Sequence, residues 1–171
     1  MNRRDILSTS AITVLGLAVL AGSAAAQQKT LKEQLVGTWT LVANDNVAPD
    51  GTKRQIFGPN PKGILMLDAN GRFAQVSVNP SRPKFKGSTR LDGTPEENKA
   101  VVAGTVASFG TWSVNEADKT MVIRPDGNIY PNAEGIDQRR TVVSITGDEF
   151  KYVNPTSTAG GSTEAVYRRV K

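Results

Sequence analysis

Gln75, Ser77, Tyr152 and an arginine at 139 or 140 are polar side chains set among apolar ones in short extended runs. In Phe73-Ala-Gln-Val-Ser-Val78, a period of two puts Phe73, Gln75 and Ser77 on one face. The same alternation pairs Phe150 with Tyr152, Trp112 with Val114, and Trp39 with Leu41. Turned into an interior, an amide, a hydroxyl, a phenol and a guanidinium would fix a small molecule by hydrogen bonding. Polar groups in such a place are costly unless they meet water or a ligand. Shifted by one residue of register they are solvated surface, and the aromatics between them are plain core. The candidate ligand-binding set is therefore Phe73, Gln75, Ser77, Trp112, Arg140 (with Arg139 as the other choice) and Tyr152.

Covalent and metal chemistry has little to stand on. The chain contains neither histidine nor cysteine, which removes Ser-His-Asp and Cys-His nucleophiles, disulfides, and zinc or iron sites that need imidazole or thiolate. A metal site would have to be all-oxygen. Asp50-Gly51, Asp92-Gly93 and Asp126-Gly127 lack the ligand spacing of a calcium loop and suit turns instead. No metal and no cofactor is expected. Proton transfer would fall to Tyr152 with a carboxylate such as Glu149 or Asp137.

The elements that must position these residues are short strands separated by turns, an all-β pattern. Strands are expected at Gly37–Ala43, Gln55–Phe57, Ile64–Leu67, Phe73–Val78, Phe109–Val114, Met121–Arg124, Arg139–Ile145, Phe150–Val153 and Glu164–Val170. Asp68-Ala-Asn-Gly71 marks a hairpin, because Asn-Gly tolerates positive φ. Long loops are expected at Pro125–Asp137 and Asn154–Ser162. Leu31–Val36 makes a short helix before the first strand. Thr94, Pro95 and Glu97 form a capping box with proline at the first helical position, so a helix runs from Pro95 to about Val106. Arg82, Lys84, Lys86 and Arg90 crowd the segment between Pro80 and Asp92, as a basic rim or as a solvated loop.

The first residues are an export leader. Arg3-Arg4 precede a mostly apolar stretch from Ala11 to Gly22, which ends in Ser23-Ala-Ala-Ala26 with small residues at the cleavage positions. Residues 1–26 are thus a signal peptide and 27–171 one domain. The apolar stretch is too short and too diluted by Ser8, Ser10 and Thr13 to span a bilayer, so no stable membrane anchor is expected after cleavage. The basic pair before Ile6-Leu7 suits a twin-arginine signal, the alternative being the ordinary positive end of a Sec signal. Both lead to the periplasm. Loss of Arg3, Arg4 and Asp5 with the leader lowers the net charge of +5 by one. The remaining charges are mixed along the chain rather than gathered in a stripe, which argues against nucleic acid as a partner.

Gly37-Thr-Trp39 after a short helix resembles the Gly-x-Trp signature that opens lipocalins. Phe57-Gly-Pro-Asn-Pro-Lys-Gly63, Asp68-Ala-Asn-Gly-Arg-Phe73, Arg82-Pro-Lys-Phe85, Gly93–Ala100, Phe109-Gly-Thr-Trp112 and the terminal Tyr167-Arg-Arg169 extend the likeness to the bacterial and fungal lipocalin-like domain family. The resemblance covers Leu35 to Lys171. It implies a single antiparallel up-and-down β-barrel of about eight or nine strands, with a short N-terminal helix and one helix near 95–106. It also implies that Trp39 closes the barrel base against Arg168 or Arg169. Gly110-Thr-Trp112 echoes Gly37-Thr-Trp39, with both glycines allowing close backbone approach and both tryptophans filling the barrel's taper. The leading expectation is a small-molecule binding protein with a small, largely apolar or amphipathic ligand. The alternatives are an isomerase or cyclase acting on an apolar substrate, and an interaction module with a filled barrel.

Overall fold

The computed structural model describes residues 28–171, so the expected leader at residues 1–26 lies outside the described residues. Nine strands follow in hairpin order: β1 Gly37–Val47, β2 Lys53–Arg54, β3 Lys62–Leu67, β4 Arg72–Val78, β5 Thr105–Asn115, β6 Thr120–Asn128, β7 Gln138–Ile145, β8 Glu149–Asn154 and β9 Ser162–Arg169. All pairings are antiparallel. β1 pairs with β9 from Trp39↔Arg169 to Val47↔Ser162, which closes eight strands into a barrel. The two-residue β2 is an extra strand on the end of β1. Closure leaves no open edge on the main sheet.

Two helices, α1 (Leu31–Leu35) and α2 (Pro95–Ala103), sit at opposite ends of the barrel. α1 plugs one end with Leu31 and Leu35, and its Thr30–Glu33 capping box holds its start. The expected box on α2 is present, with the Thr94 hydroxyl accepting from the Glu97 amide and the Glu97 carboxylate accepting from the Thr94 amide. α2 stops at Gly104, before the expected Val106. Thr105 and Val106 are instead drawn into β5, where they pair with Val78 and Ser77. Two β-branched residues gain more from the ladder than from another helical turn.

The strand expected at Gln55–Phe57 is a turn, closed by a hydrogen bond from the Gly58 amide to the Gln55 carbonyl. Ile56 and Phe57 are apolar because they pack inward from the rim, with Phe57 buried, and not because they pair in a sheet. β6 runs on through Pro125 to Asn128, taking up the start of the expected loop. A bulge lets it do so: Gly110 faces Pro125, while Phe109 faces Gly127. A Cβ on Gly110 would lie 2.2 Å from the Arg124 carbonyl oxygen, so this close approach requires glycine. At the β3–β4 hairpin, Gly71 adopts φ +85°.

The core fills the α1 end. Trp39, Leu35, Leu65, Leu67, Phe73, Trp112 and Phe150 are buried there. The strand alternation expected from sequence is kept, with Phe73, Gln75 and Ser77 all turned inward on β4.

Candidate ligand-binding site

On several strands the inward-facing column begins apolar at the α1 end and becomes polar toward the α2 end. On β4 the order is Phe73, Gln75, Ser77, and on β1 it is Trp39, Leu41, then Asn44 and Asn46. Apolar side chains fill the first half. The second half surrounds a cavity of about 250 Å3. Its deeper wall carries Gln75, Gln138, Arg140 and Tyr152, with Ser108 and Asn128 to one side and Asn44 and Thr163 to another. Toward the rim the lining is mixed, with Ile56, Phe57, Val102, Ala103, Val106 and Ile129 on one part and Asn154, Ser157 and Thr158 on another.

Four aromatic rings connect the filled end to this cavity. Trp39 meets Phe150 edge-on at 4.6 Å between centroids, and Phe150 stacks on Tyr167 at 5.3 Å. Tyr167 stacks on Tyr152 at 5.9 Å. The Arg140 guanidinium lies 5.2 Å from the Tyr152 ring centroid, and that of Arg169 lies 3.9 Å from the Trp39 centroid. An arginine thus stands at each end of the series. Burial pushes the Tyr167 phenol well above its usual range, with Tyr152 adding to the effect and the Arg140 charge opposing it.

A polar network ties the cavity floor to the stack. Gln75 Nε2 donates to the Tyr167 hydroxyl at 3.2 Å, and Arg140 Nη1 donates to Gln75 Oε1 at 3.3 Å. Arg140 Nη2 donates to Gln138 Oε1 at 3.3 Å. Among the described residues, two buried side-chain atoms have no hydrogen-bond partner, Ser77 Oγ and Arg140 Nε.

The candidate residues chosen from sequence therefore divide. Gln75, Arg140 and Tyr152 meet on the cavity wall, and Arg140 rather than the exposed Arg139 is the inward arginine. Ser77 is buried in the same column but is not part of the lining. Phe73 and Trp112 belong to the filled end, where the Trp112 indole donates to the Asp68 carbonyl at 3.0 Å. They lie outside the lining because alternation brings inward residues to every level of a barrel, not only to the hollow one. The carboxylates considered as proton-transfer partners are also elsewhere. Glu149 contacts Lys151 and Asp137 pairs with Arg124, all half-exposed. Arg82 is spent on the Asn79 carbonyl and the Thr105 hydroxyl, while Lys84, Lys86 and Arg90 are exposed.

Sequence reasoning missed Gln138 and Tyr167. Both were within reach, since Gln138 precedes Arg140 by one strand period and Tyr167 follows Thr163 and Ala165 on the inward face of β9.

Residues 36–169 match the family model of the lipocalin-like domain. The chain belongs to the lipocalin-like domain family. A crystal structure of a lipocalin-like protein from Bacteroides uniformis is similar, with 15% sequence identity and a TM-score of 0.44, over 80% of this chain and 99% of that one. No curated protein matches the sequence. The base of this lipocalin-like domain is closed by Trp39 and Arg169; Arg168 is exposed beside Thr40 and Glu149 on the outer face. A Cβ on Gly37 would meet Arg169 Nη1 at 2.6 Å, so the glycine of the opening motif makes room for this arginine.

Proposed function

We propose that this lipocalin-like domain is an exported binding protein that holds one small amphipathic molecule in the barrel cavity. The observation that carries the reading is the division of the interior. One half is packed with aromatic and aliphatic side chains, and the other holds a cavity of about 250 Å3 with a polar floor and a partly apolar rim. Binding sites for small molecules are commonly apolar recesses with a few placed polar groups. The volume is below the ~300 Å3 lower end of drug-sized pockets, which suits a small ligand. Export rests on the leader-like residues 1–26 and makes the periplasm the place where the molecule is met.

The test is native mass spectrometry of protein recovered from the periplasm of a producing cell, together with thermal melts across lipid and aromatic metabolites. A retained mass or a stabilised melt is expected. Empty protein that no compound stabilises would overturn the reading.

A further inference from the structure

We infer that the bound molecule carries a carboxylate, and that Arg140 receives it. The inference rests on the small-molecule reading above and specifies its ligand class. Arg140 is only 7% exposed, yet its polar contacts are two neutral amide oxygens, each at the long distance of 3.3 Å. Its Nε has no partner at all. Among the described residues it is the one charged side chain in the cavity lining, and no carboxylate forms an ion pair with it.

A guanidinium keeps its charge throughout the physiological range. A buried charge is unfavourable unless it is paired and hydrogen-bonded. The Tyr152 face offers it some attraction, and the two glutamine oxygens offer dipoles, but neither supplies the missing negative charge. The Nη–H donors that Gln75 and Gln138 leave free, one on each terminal nitrogen, match the two oxygens of a carboxylate, which arginine receives as a fork, while the sealed Nε–H adds to the unmet polarity around the charge. The apolar part of the rim, formed by Ile56, Phe57, Val102 and Ile129, would cover the rest of the molecule. Gln75 and Gln138 hold the guanidinium in place on both sides, and the rings of Tyr152 and Tyr167 support it from within the barrel.

The experiment is calorimetric titration of the purified protein with matched probes: hexanoate against 1-hexanol, and benzoate against benzyl alcohol, at one ionic strength. Each carboxylate is expected to bind about tenfold or more tightly than its alcohol, as a charge-assisted pair in a partly dry site would give. Arg140→Met should abolish the carboxylate preference within each pair, and Arg140→Lys should keep part of it, since an ammonium lacks the planar fork. Equal affinities in the unaltered protein would overturn the inference and leave small-molecule binding standing. A carboxylate preference that survives in Arg140→Met would overturn it too. Absence of binding by both series up to millimolar probe would remove the small-molecule reading and this one together. Should Arg140→Met fail to fold, Arg140→Lys carries the assignment: a carboxylate preference as large as that of the unaltered protein would overturn it, and a reduced one would support it.

Discussion

The Arg169 guanidinium lies over the Trp39 ring, 3.9 Å from its centroid, and the two residues together secure the carbonyl end of α1. Arg169 donates to the carbonyls of Gln34, Val36 and Gly147, while the Trp39 indole donates to the Leu35 carbonyl at 2.8 Å. A short helix end that would otherwise expose unpaired carbonyls is satisfied from the barrel side. Trp39→Ala removes a fully buried ring and is expected to cost roughly 3–5 kcal/mol. Thr40→Ala, on the exposed face of the same strand, should stay within about 0.5 kcal/mol. Arg169→Lys should fall between, near 1–2 kcal/mol, because an ammonium cannot reach three carbonyls from one plane. Urea melts of the three variants test this ordering. Equal midpoints for Trp39→Ala and Thr40→Ala would contradict a buried barrel base.

The other end of α1 depends on Glu116, from the β5–β6 turn. Its carboxylate accepts from the Leu31 amide at 2.8 Å and from the Lys32 amide at 3.0 Å. Glu116→Ala should destabilise by about 1 kcal/mol, the usual worth of a helix-start acceptor. Amide exchange should quicken at residues 31–36 while the strands keep their protection. Unchanged exchange in α1 would show that the plug is held by Leu31 and Leu35 alone.

Gly110→Ala sets a new Cβ against the Arg124 carbonyl oxygen and the Asp126 backbone nitrogen, and neither can yield as a side chain would. A loss of more than about 2 kcal/mol is expected from overpacking at a backbone contact. Gly147→Ala has nothing within 4 Å of its added methyl group and should be near neutral. Thermal melts of the pair distinguish a required bulge from a tolerant turn.

Tyr167 links stability to alkaline pH. Its phenol is held in the neutral form by burial, above its unfolded value, so its contribution is full below the unfolded pKa and is lost as pH rises past it. Urea midpoints should therefore hold to about pH 9 and fall above about pH 10. Tyr167→Phe has no phenol to ionise and should show a shallower alkaline fall, after an initial loss of about 1 kcal/mol because Gln75 Nε2 is left unpaired. Identical alkaline profiles would place the loss on other groups.

The proposed export route is testable in residues 1–26. Arg3→Lys with Arg4→Lys preserves the charge but alters the pair that a twin-arginine translocase reads. Loss of the protein from the periplasmic fraction is expected. Undiminished export would assign the leader to the general secretory route.

Eight of the nine strands and both α-helices were legible in the sequence, because period-two alternation and a capping box are local signals. The contact of Trp39 with an arginine came instead from the likeness to lipocalins, which left Arg168 and Arg169 both open. The rest was decided at a distance. Gln55–Phe57 has a strand's composition, but the packing of Phe57 against the barrel interior makes it a turn. Phe73 and Gln75 are two residues apart on one strand face, yet one belongs to solid core and the other to the cavity wall. Where a barrel stops being filled depends on the summed volume of eight strands' side chains, which no single run reveals.

Both tryptophans, Trp39 and Trp112, lie at the filled end, and neither touches the cavity. Indole emission in this protein is therefore chiefly a gauge of whether the α1 end is intact. Occupancy would register instead in the near-ultraviolet dichroism of Tyr152 and Tyr167, whose rings stack beside Arg140. For an occupant that does not absorb in the near ultraviolet, a titration followed by tryptophan fluorescence would change little as the cavity filled.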